Sequence, residues 1–451
     1  MKKNIVSLVC PAVLALLLAV SCHNNRREVV NPASEGNGTA SSICAYDPDF
    51  DTHFTGERLR IDLVLAGDSE HQEAYFQQMY REPRWSGSPS SLINRFGYGQ
   101  YFCELFSADS LVYSTGFSTL FEEWRTTPQS EKVKMAANQT VWVPFPRDSV
   151  HFVLYRRVWE TGKFDRMLEF DIDPSDRHII PASNPYRITT LHYSGDPAHK
   201  VDLVFAGEGY TAGQMSKFRS DARRMTDYLF SMEPYAHRAD DFNVWLVESV
   251  SQDSGPDIPQ DGVWRSTIMD SGYDTFYEDR YLTIMDHRKI ADAISCTDFD
   301  TVFIIANDPK YGGGGIFNSY AMGSSDHKYS DPVFIHEFGH SFAGLGDEYY
   351  DSSSPYEDFY NLEVEPWEPN VTTMVDFQSK WADMIAEDTP VPTPNDPENY
   401  YGVVGAFEGA GYMTEGCWRP YYECRMFNNT APCFCPVCQR AIEAMIDFYA
   451  R

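Results

Sequence analysis

Basic residues are scarce. Lys and Arg number 36 against 66 Asp and Glu, for a formal net charge of −30. Nucleic-acid binding needs clustered Lys and Arg against phosphate, so this balance argues against it. It argues equally against electrostatic docking on anionic lipid. Long apolar runs are also nearly missing: the clearest, residues 5–20, is short for a membrane span. No internal repeat is visible. The glycine run at 312–315 lacks the Lys-Ser/Thr ending of a phosphate loop and reads as a tight turn into a strand over 316–322. The late run CFCPVC has no second cysteine pair at zinc-finger spacing, so it reads as disulfides or structural thiols and not as a second zinc.

What is present points to a folded, exported chain. Hydrophobic residues at 43% and charged residues at 23% permit a large core, and 451 residues suggest two or three domains. Lys2 and Lys3 precede the apolar run, the layout of a secretory signal over residues 1–21. The run ends Leu18-Ala19-Val20-Ser21-Cys22, which resembles a bacterial lipobox with Ala19 in place of the usual Leu. That resemblance implies cleavage before Cys22 and lipidation of its sulfur, which would place the protein at the outer membrane, cell surface or periplasm. Residues 22–50, polar and rich in Asn, Ser and Gly, read as a flexible tether. Setting aside Cys10 and Cys22 leaves eight of the ten cysteines, an even number that suits an oxidising compartment.

Two rhythms divide the remainder. Over residues 51–185, short alternating runs such as Leu59-Arg60-Ile61-Asp62-Leu63 stand between turns and predict a β-sandwich with no chemical cluster of its own. Over 190–451, apolar strands at 201–205, 242–250 and 301–306 alternate with helical patterns at 215–229 and 286–294, which predicts an α/β sheet. The fold class expected is therefore α+β multidomain, an all-β sandwich followed by an α/β domain.

One stretch carries chemistry. In Ser330-Asp331-Pro332-Val333-Phe334-Ile335-His336-Glu337-Phe338-Gly339-His340, Asp331 is expected to cap a helix with Pro332 in its first turn. His336 and His340 then share one face, and the phenylalanines cover the other. HExxH on a helix holds one zinc through two neutral imidazoles, with the Glu placed to take a proton from the attacking water. Gly344 and Gly346 break the helix, so the following residues can return to the metal. Asp347 is the preferred third ligand, ahead of Glu348, with Glu363 and Glu365 more distant choices. Glu337 is the expected general base. Tyr412, Arg419, Tyr421 and Tyr422 are candidates for oxyanion or substrate contacts.

HEFGHSFAGLGDEY resembles the bacterial immunoglobulin-A peptidase family of zinc metalloendopeptidases, and the likeness continues in CRM and FCPVC near the C-terminus. GFSTLFEEW, residues 116–124, is similar to that family's N-terminal β domain. The resemblance implies a metzincin-like catalytic domain, one catalytic zinc, protein or peptide substrates, and Met426 as the methionine turn beneath the metal, with Met413 as its competitor. The family's name carries an antibody substrate, but HExxH chemistry selects none. Two readings compete: a catalytically inactive surface lipoprotein that binds protein or glycan through its aromatics, and a zinc amidase acting on cell-wall peptides. Glu337 between the histidines counts against the first, because a binding module needs no general base.

Overall fold

A computed structural model of the chain describes residues 47–350 and 359–451. The expected signal, Cys22 and the tether as far as residue 46 lie outside the described residues.

The first half is strand-rich. After a short helix α1 (Phe50–His53) come β1 (Phe54–Gly67), β2 (Gln72–Glu82), β3 (Tyr101–Ser107), β4 (Ser110–Phe117), helix α2 (Leu120–Arg125), β5 (Met135–Pro146), β6 (Val150–Arg157), β7 (Phe164–Ile172) and β8 (Ile180–Pro181). They form two four-stranded sheets, β5-β1-β2-β8 and β4-β3-β6-β7. Alternate residues from both sheets fill one core: Leu59, Ile61 and Leu63 from β1 meet Leu105 from β3 and Phe152 and Leu154 from β6. That is the inward face of a sandwich, as the alternation predicts.

The outward face of β1 is not left to water. Arg58, Arg60 and Asp62 are as buried as the leucines between them. Arg58 pairs with Glu82, donates to the Thr297 carbonyl at 2.9 Å and stacks on Phe299 with its guanidinium carbon 4.1 Å from the ring centre. Arg60 pairs with Asp62 at 2.8 Å and reaches Asp292 at 2.7 Å. Polar positions in a strand pattern usually mark a solvated face. Here they mark an ion-paired seam against the second half of the chain.

The second half holds β9 (Arg187–His192), β10 (Val201–Glu208), α3 (Met215–Leu229), β11 (Phe242–Glu248), α4 (His287–Ile294), β12 (Thr301–Ala306), β13 (Gly313–Ile316), β14 (Tyr320–Ser324), α5 (Ser330–Ala343), α6 (Pro397–Tyr400), β15 (Phe407–Ala410), β16 (Met413–Arg419) and α7 (Pro436–Tyr449). A six-stranded sheet runs β13-β14-β12-β10-β11-β9, with β14, β12, β10 and β11 parallel and the two edge strands antiparallel. Every residue of β10 and β12 is buried, as expected for parallel strands covered on both faces. Phe205 and Phe303 face α3, α5 and α7, whereas Val204 and Ile304 face α4. The chain is thus α+β: a strand-rich N-terminal region followed by an α/β domain.

Two local expectations are corrected. The glycines are not a turn: Gly313 to Gly315 are strand β13 itself, paired with β14 from Gly313 opposite Gly323 to Ile316 opposite Tyr320. Asp331 does not cap α5. The N-cap is Tyr329 with no side-chain cap bond, and Asp331 instead accepts from Arg224 Nε on α3 at 2.9 Å. A tertiary ion pair has drawn the carboxylate away from the local role its position suggests.

Candidate active site

Helix α5 carries the two histidines, and its burial explains why they are held so firmly. Phe334, Phe338 and Phe342 lie in the core between α5, α3 and the sheet. The opposite side of α5 packs on β13 and β14, and here glycine is required. A Cβ on Gly315 would stand 2.3 Å from the Glu337 carbonyl oxygen and 3.0 Å from His340 Cβ, and one on Gly313 would stand 3.1 Å from Glu337 Cγ. The strand therefore lies directly against the motif's turn. Gly315→Ala is expected to destabilise the protein by about 1–3 kcal/mol and to lower activity, because the clash is with rigid backbone. Thermal unfolding checks this, and an unchanged melting temperature would contradict the close contact.

Each imidazole is oriented by a carbonyl. His336 Nδ1 donates to Arg425 O at 3.0 Å, and His340 Nδ1 donates to Leu345 O at 2.6 Å. A carbonyl only accepts, so the proton sits on Nδ1 and the Nε2 lone pair is left as a ligand. The two Nε2 atoms are 3.1 Å apart. Helix α5 ends at Gly344, which has φ +65° and donates to His340 O at 3.1 Å, while Leu345 N donates to Gly339 O at 3.2 Å. This left-handed stop turns the chain back. Asn370 clamps the returning segment, accepting from Gly346 N at 2.7 Å and donating to Gly346 O at 2.9 Å. Asp347 then points Oδ1 at the histidines, 3.0 Å from His336 Nε2 and 3.3 Å from His340 Nε2.

These three atoms fit a metal. Ligands about 2.0–2.1 Å from a tetrahedral zinc stand roughly 3.3 Å from one another. The spacings here lie at that value or just under it, and His336, His340 and Asp347 form a possible metal cluster. Asp347 Oδ1 is buried with no hydrogen-bond donor, whereas Oδ2 accepts from the Tyr412 hydroxyl. One oxygen is thus fixed and the other is presented to the histidines. Burial opposes the Asp347 charge, but His340 and His336 hold the carboxyl well below its ordinary range. Burial pushes the Glu337 carboxyl up, the direction that suits a proton acceptor working near neutrality.

A model of the IgA peptidase M64 family matches residues 189–402 and 395–446, and a model of the M64 N-terminus family matches residues 49–167. The chain belongs to the IgA peptidase M64 family. It is therefore a peptidase of a metallopeptidase family, and it acts on protein or peptide substrates. No curated protein is similar enough to the chain to count as a match.

Of the residues singled out in the sequence of this M64 peptidase, the structure brings His336, Glu337, His340, Asp347, Tyr412 and Met426 together. A Cβ on Gly339 would meet Met426 Sδ at 2.9 Å, so that methionine lies directly under α5. Met413 lies elsewhere, packed against a separate small cluster of Val371, Ala410 and Cys417. Glu348 turns away from the histidines, Glu363 is exposed, and Glu365 accepts from Asp376 N at 2.8 Å. Arg419 donates to the carbonyls of Glu408 at 3.0 Å and Gly409 at 2.5 Å and so holds the β15–β16 hairpin. Tyr422 packs on Phe407, and Tyr421 packs on the large core. Tyr412 is spent on Asp347 and is held at φ +66°, in the left-handed region that non-glycine residues rarely adopt. Among the described residues the cysteines are free, so no disulfide joins them.

Glu123 is a further acidic group that no sequence pattern marks. It lies on α2 of the sandwich, yet it is close enough to His340, Glu337 and Asp347 to feel their charges. Burial raises its carboxyl to about 7, and Tyr281 donates to it. The N-terminal region therefore sends one acidic group towards the site, although its sequence shows no chemical cluster. The only local signal is the GFSTLFEEW stretch itself. Tyr311, just before β13, and Arg280 are likewise within electrostatic reach of Glu337.

Proposed function

We propose that the protein is a zinc-dependent endopeptidase of extracellular proteins, with His336, His340 and Asp347 as metal ligands and Glu337 as general base. The observation that carries this reading is the convergence of two Nε2 atoms and one carboxylate oxygen at 3.0–3.3 Å beside a carboxylate that is not among them. A zinc ion there would supply Lewis acidity, acidifying water and polarising the scissile carbonyl. The remaining steps belong to the chain. Glu337 takes the proton of the attacking water and returns it to the leaving amine. Arg425 O and Leu345 O keep both imidazoles in the ligating tautomer, and Tyr412 holds Asp347 in place. Chelator treatment should abolish cleavage of an unfolded protein substrate, and added zinc should restore it. Cleavage that survives complete removal of metal would sink the proposal.

The signal-like N-terminus supports a second element of the proposal, that the protein is exported as a bacterial lipoprotein anchored through Cys22. Mass spectrometry of membrane-extracted protein should find an acylated N-terminal Cys22. A soluble product with another N-terminus, unchanged in Cys22→Ala, would refute the anchor.

A further inference from the structure

A second group of potential ligands lies behind the first. Glu348 is the residue after Asp347, and the peptide bond between them divides two sites: the Asp347 carboxylate points to the histidines and the Glu348 carboxylate points the other way. It meets Cys424, Cys435 and Cys438, and the four ligand atoms all lie within 4.8 Å of one another. All four side chains are buried, with at most 1% of any residue exposed. Cys438 Sγ is 3.1 Å and Cys435 Sγ 4.0 Å from Glu348 Oε1, and Cys424 Sγ is 3.7 Å from Cys438 Sγ.

We propose that Cys424, Cys435, Cys438 and Glu348 bind a second, structural zinc ion. Four arguments support the site. The first is spacing: thiolates about 2.3 Å from a tetrahedral zinc stand roughly 3.8 Å apart, close to the 3.7 Å between Cys424 and Cys438. The second is the way the sulfurs are held. Cys435-Pro-Val-Cys438 places two thiols at CxxC spacing on the first turn of α7, with Cys435 as its N-cap. The Cys438 amide donates to Cys435 Sγ at 3.5 Å, and the Cys435 amide donates to Cys424 Sγ at 3.2 Å. Amide donors and a helix N-terminus both favour thiolate over thiol. The third is charge. Asn370 donates to Glu348 Oε1 at 3.0 Å, but Oε2 is buried without a partner. A carboxyl buried among sulfurs must either keep its proton or find a cation, and a metal ion held by the three sulfurs would supply the cation. The fourth is arithmetic: a disulfide between any two of the three cysteines would leave an odd thiol and Glu348 Oε2 still without a partner. Zinc binding replaces the three thiol protons and any proton on the Glu348 carboxyl, all of which leave to solvent, and engages all four groups.

Such an ion would tie together the three segments that build the floor of the active site. Glu348 adjoins the third ligand. Cys424 precedes Arg425, whose carbonyl orients His336, and Met426, whose carbonyl accepts from Glu348 N at 2.9 Å. Cys435 and Cys438 begin α7, which packs against α5. The second ion is thus a positioning element. That consequence rests on the proposed histidine site, whereas the cysteine site does not.

The test separates the two sites. The full-length protein, purified anaerobically with reductant and loaded with zinc, should contain two metal ions per chain, and the His336→Ala/His340→Ala variant should contain one. Loaded with cobalt(II), that histidine variant should show thiolate-to-metal charge-transfer absorption. Cys435→Ser/Cys438→Ser should lose that band and one metal ion. A thiol-specific mercurial should release one zinc from the wild type, so the result does not depend on the serine variant folding. One metal ion per loaded wild-type chain, a cobalt-loaded histidine variant without the charge-transfer band, or a disulfide among Cys424, Cys435 and Cys438 in the native protein would each overturn the proposal.

Discussion

Glu337→Gln is expected to keep its fold and its metal while losing about 10²–10⁴-fold of peptide hydrolysis, the usual cost of removing a positioned general base. The substitution preserves shape and hydrogen-bonding capacity, so it isolates proton acceptance. Glu337 follows His336 on α5 and is not one of the three clustered ligand residues. Its carboxyl is pushed up by burial and drawn down by the histidines, and the net direction is up. The close approach of β13 confines it, since its Cγ would be 3.1 Å from a Cβ on Gly313. Rates on an unfolded protein substrate, measured beside metal content, decide the matter. A variant that cleaves at the wild-type rate with metal bound would move the base elsewhere, with Glu123 the first place to look.

Asp347→Ala is expected to cost more than about 100-fold in affinity for the catalytic metal, beyond the 10–100-fold typical of losing a group that merely supports a ligand. Three consequences combine. The site falls from three protein ligands to two. The Tyr412 hydroxyl loses its buried acceptor. The two imidazoles lose the carboxylate that sits 3.0 and 3.3 Å from their Nε2 atoms. Metal retained against a competing chelator reads the effect directly. Undiminished affinity would remove Asp347 from the ligand set. Because Glu348 faces the cysteines, its own substitution is not expected to reproduce this loss at the histidine site.

The parts of this site legible in the sequence are those held by local geometry. The helical period sets His336 and His340 on one face, and the glycine stop at Gly344 turns the chain back towards them, where Asn370 and Tyr412 fix Asp347. The parts that were not legible depend on distant segments. Asp331 has the chemistry of a cap, but Arg224 on another helix claims it. The glycine run looked like a turn because nothing in its own sequence reveals that α5 lies on it. Arg419 had the charge of a substrate contact, yet two backbone carbonyls consume it. Glu123 is invisible because it belongs to the other half of the chain, and no spacing rule connects it to His340. CFCPVC shows no second pair of ligands in its own sequence because its complement is dispersed: one member is Cys424 and the other is Glu348, the neighbour of Asp347. In the sandwich, alternation correctly separated Leu59 and Ile61 from Arg58 and Arg60, but both sets are buried. The pattern reports which face a residue occupies and does not report what covers that face.

The proposed peptidase activity requires a zinc ion held by His336, His340 and Asp347. Anomalous scattering at the zinc edge, from crystals of a preparation shown to cleave protein, tests this most directly. A peak is expected within bonding distance of His336 Nε2, His340 Nε2 and the Asp347 carboxylate. An active preparation whose crystals show no metal among those three atoms would contradict it.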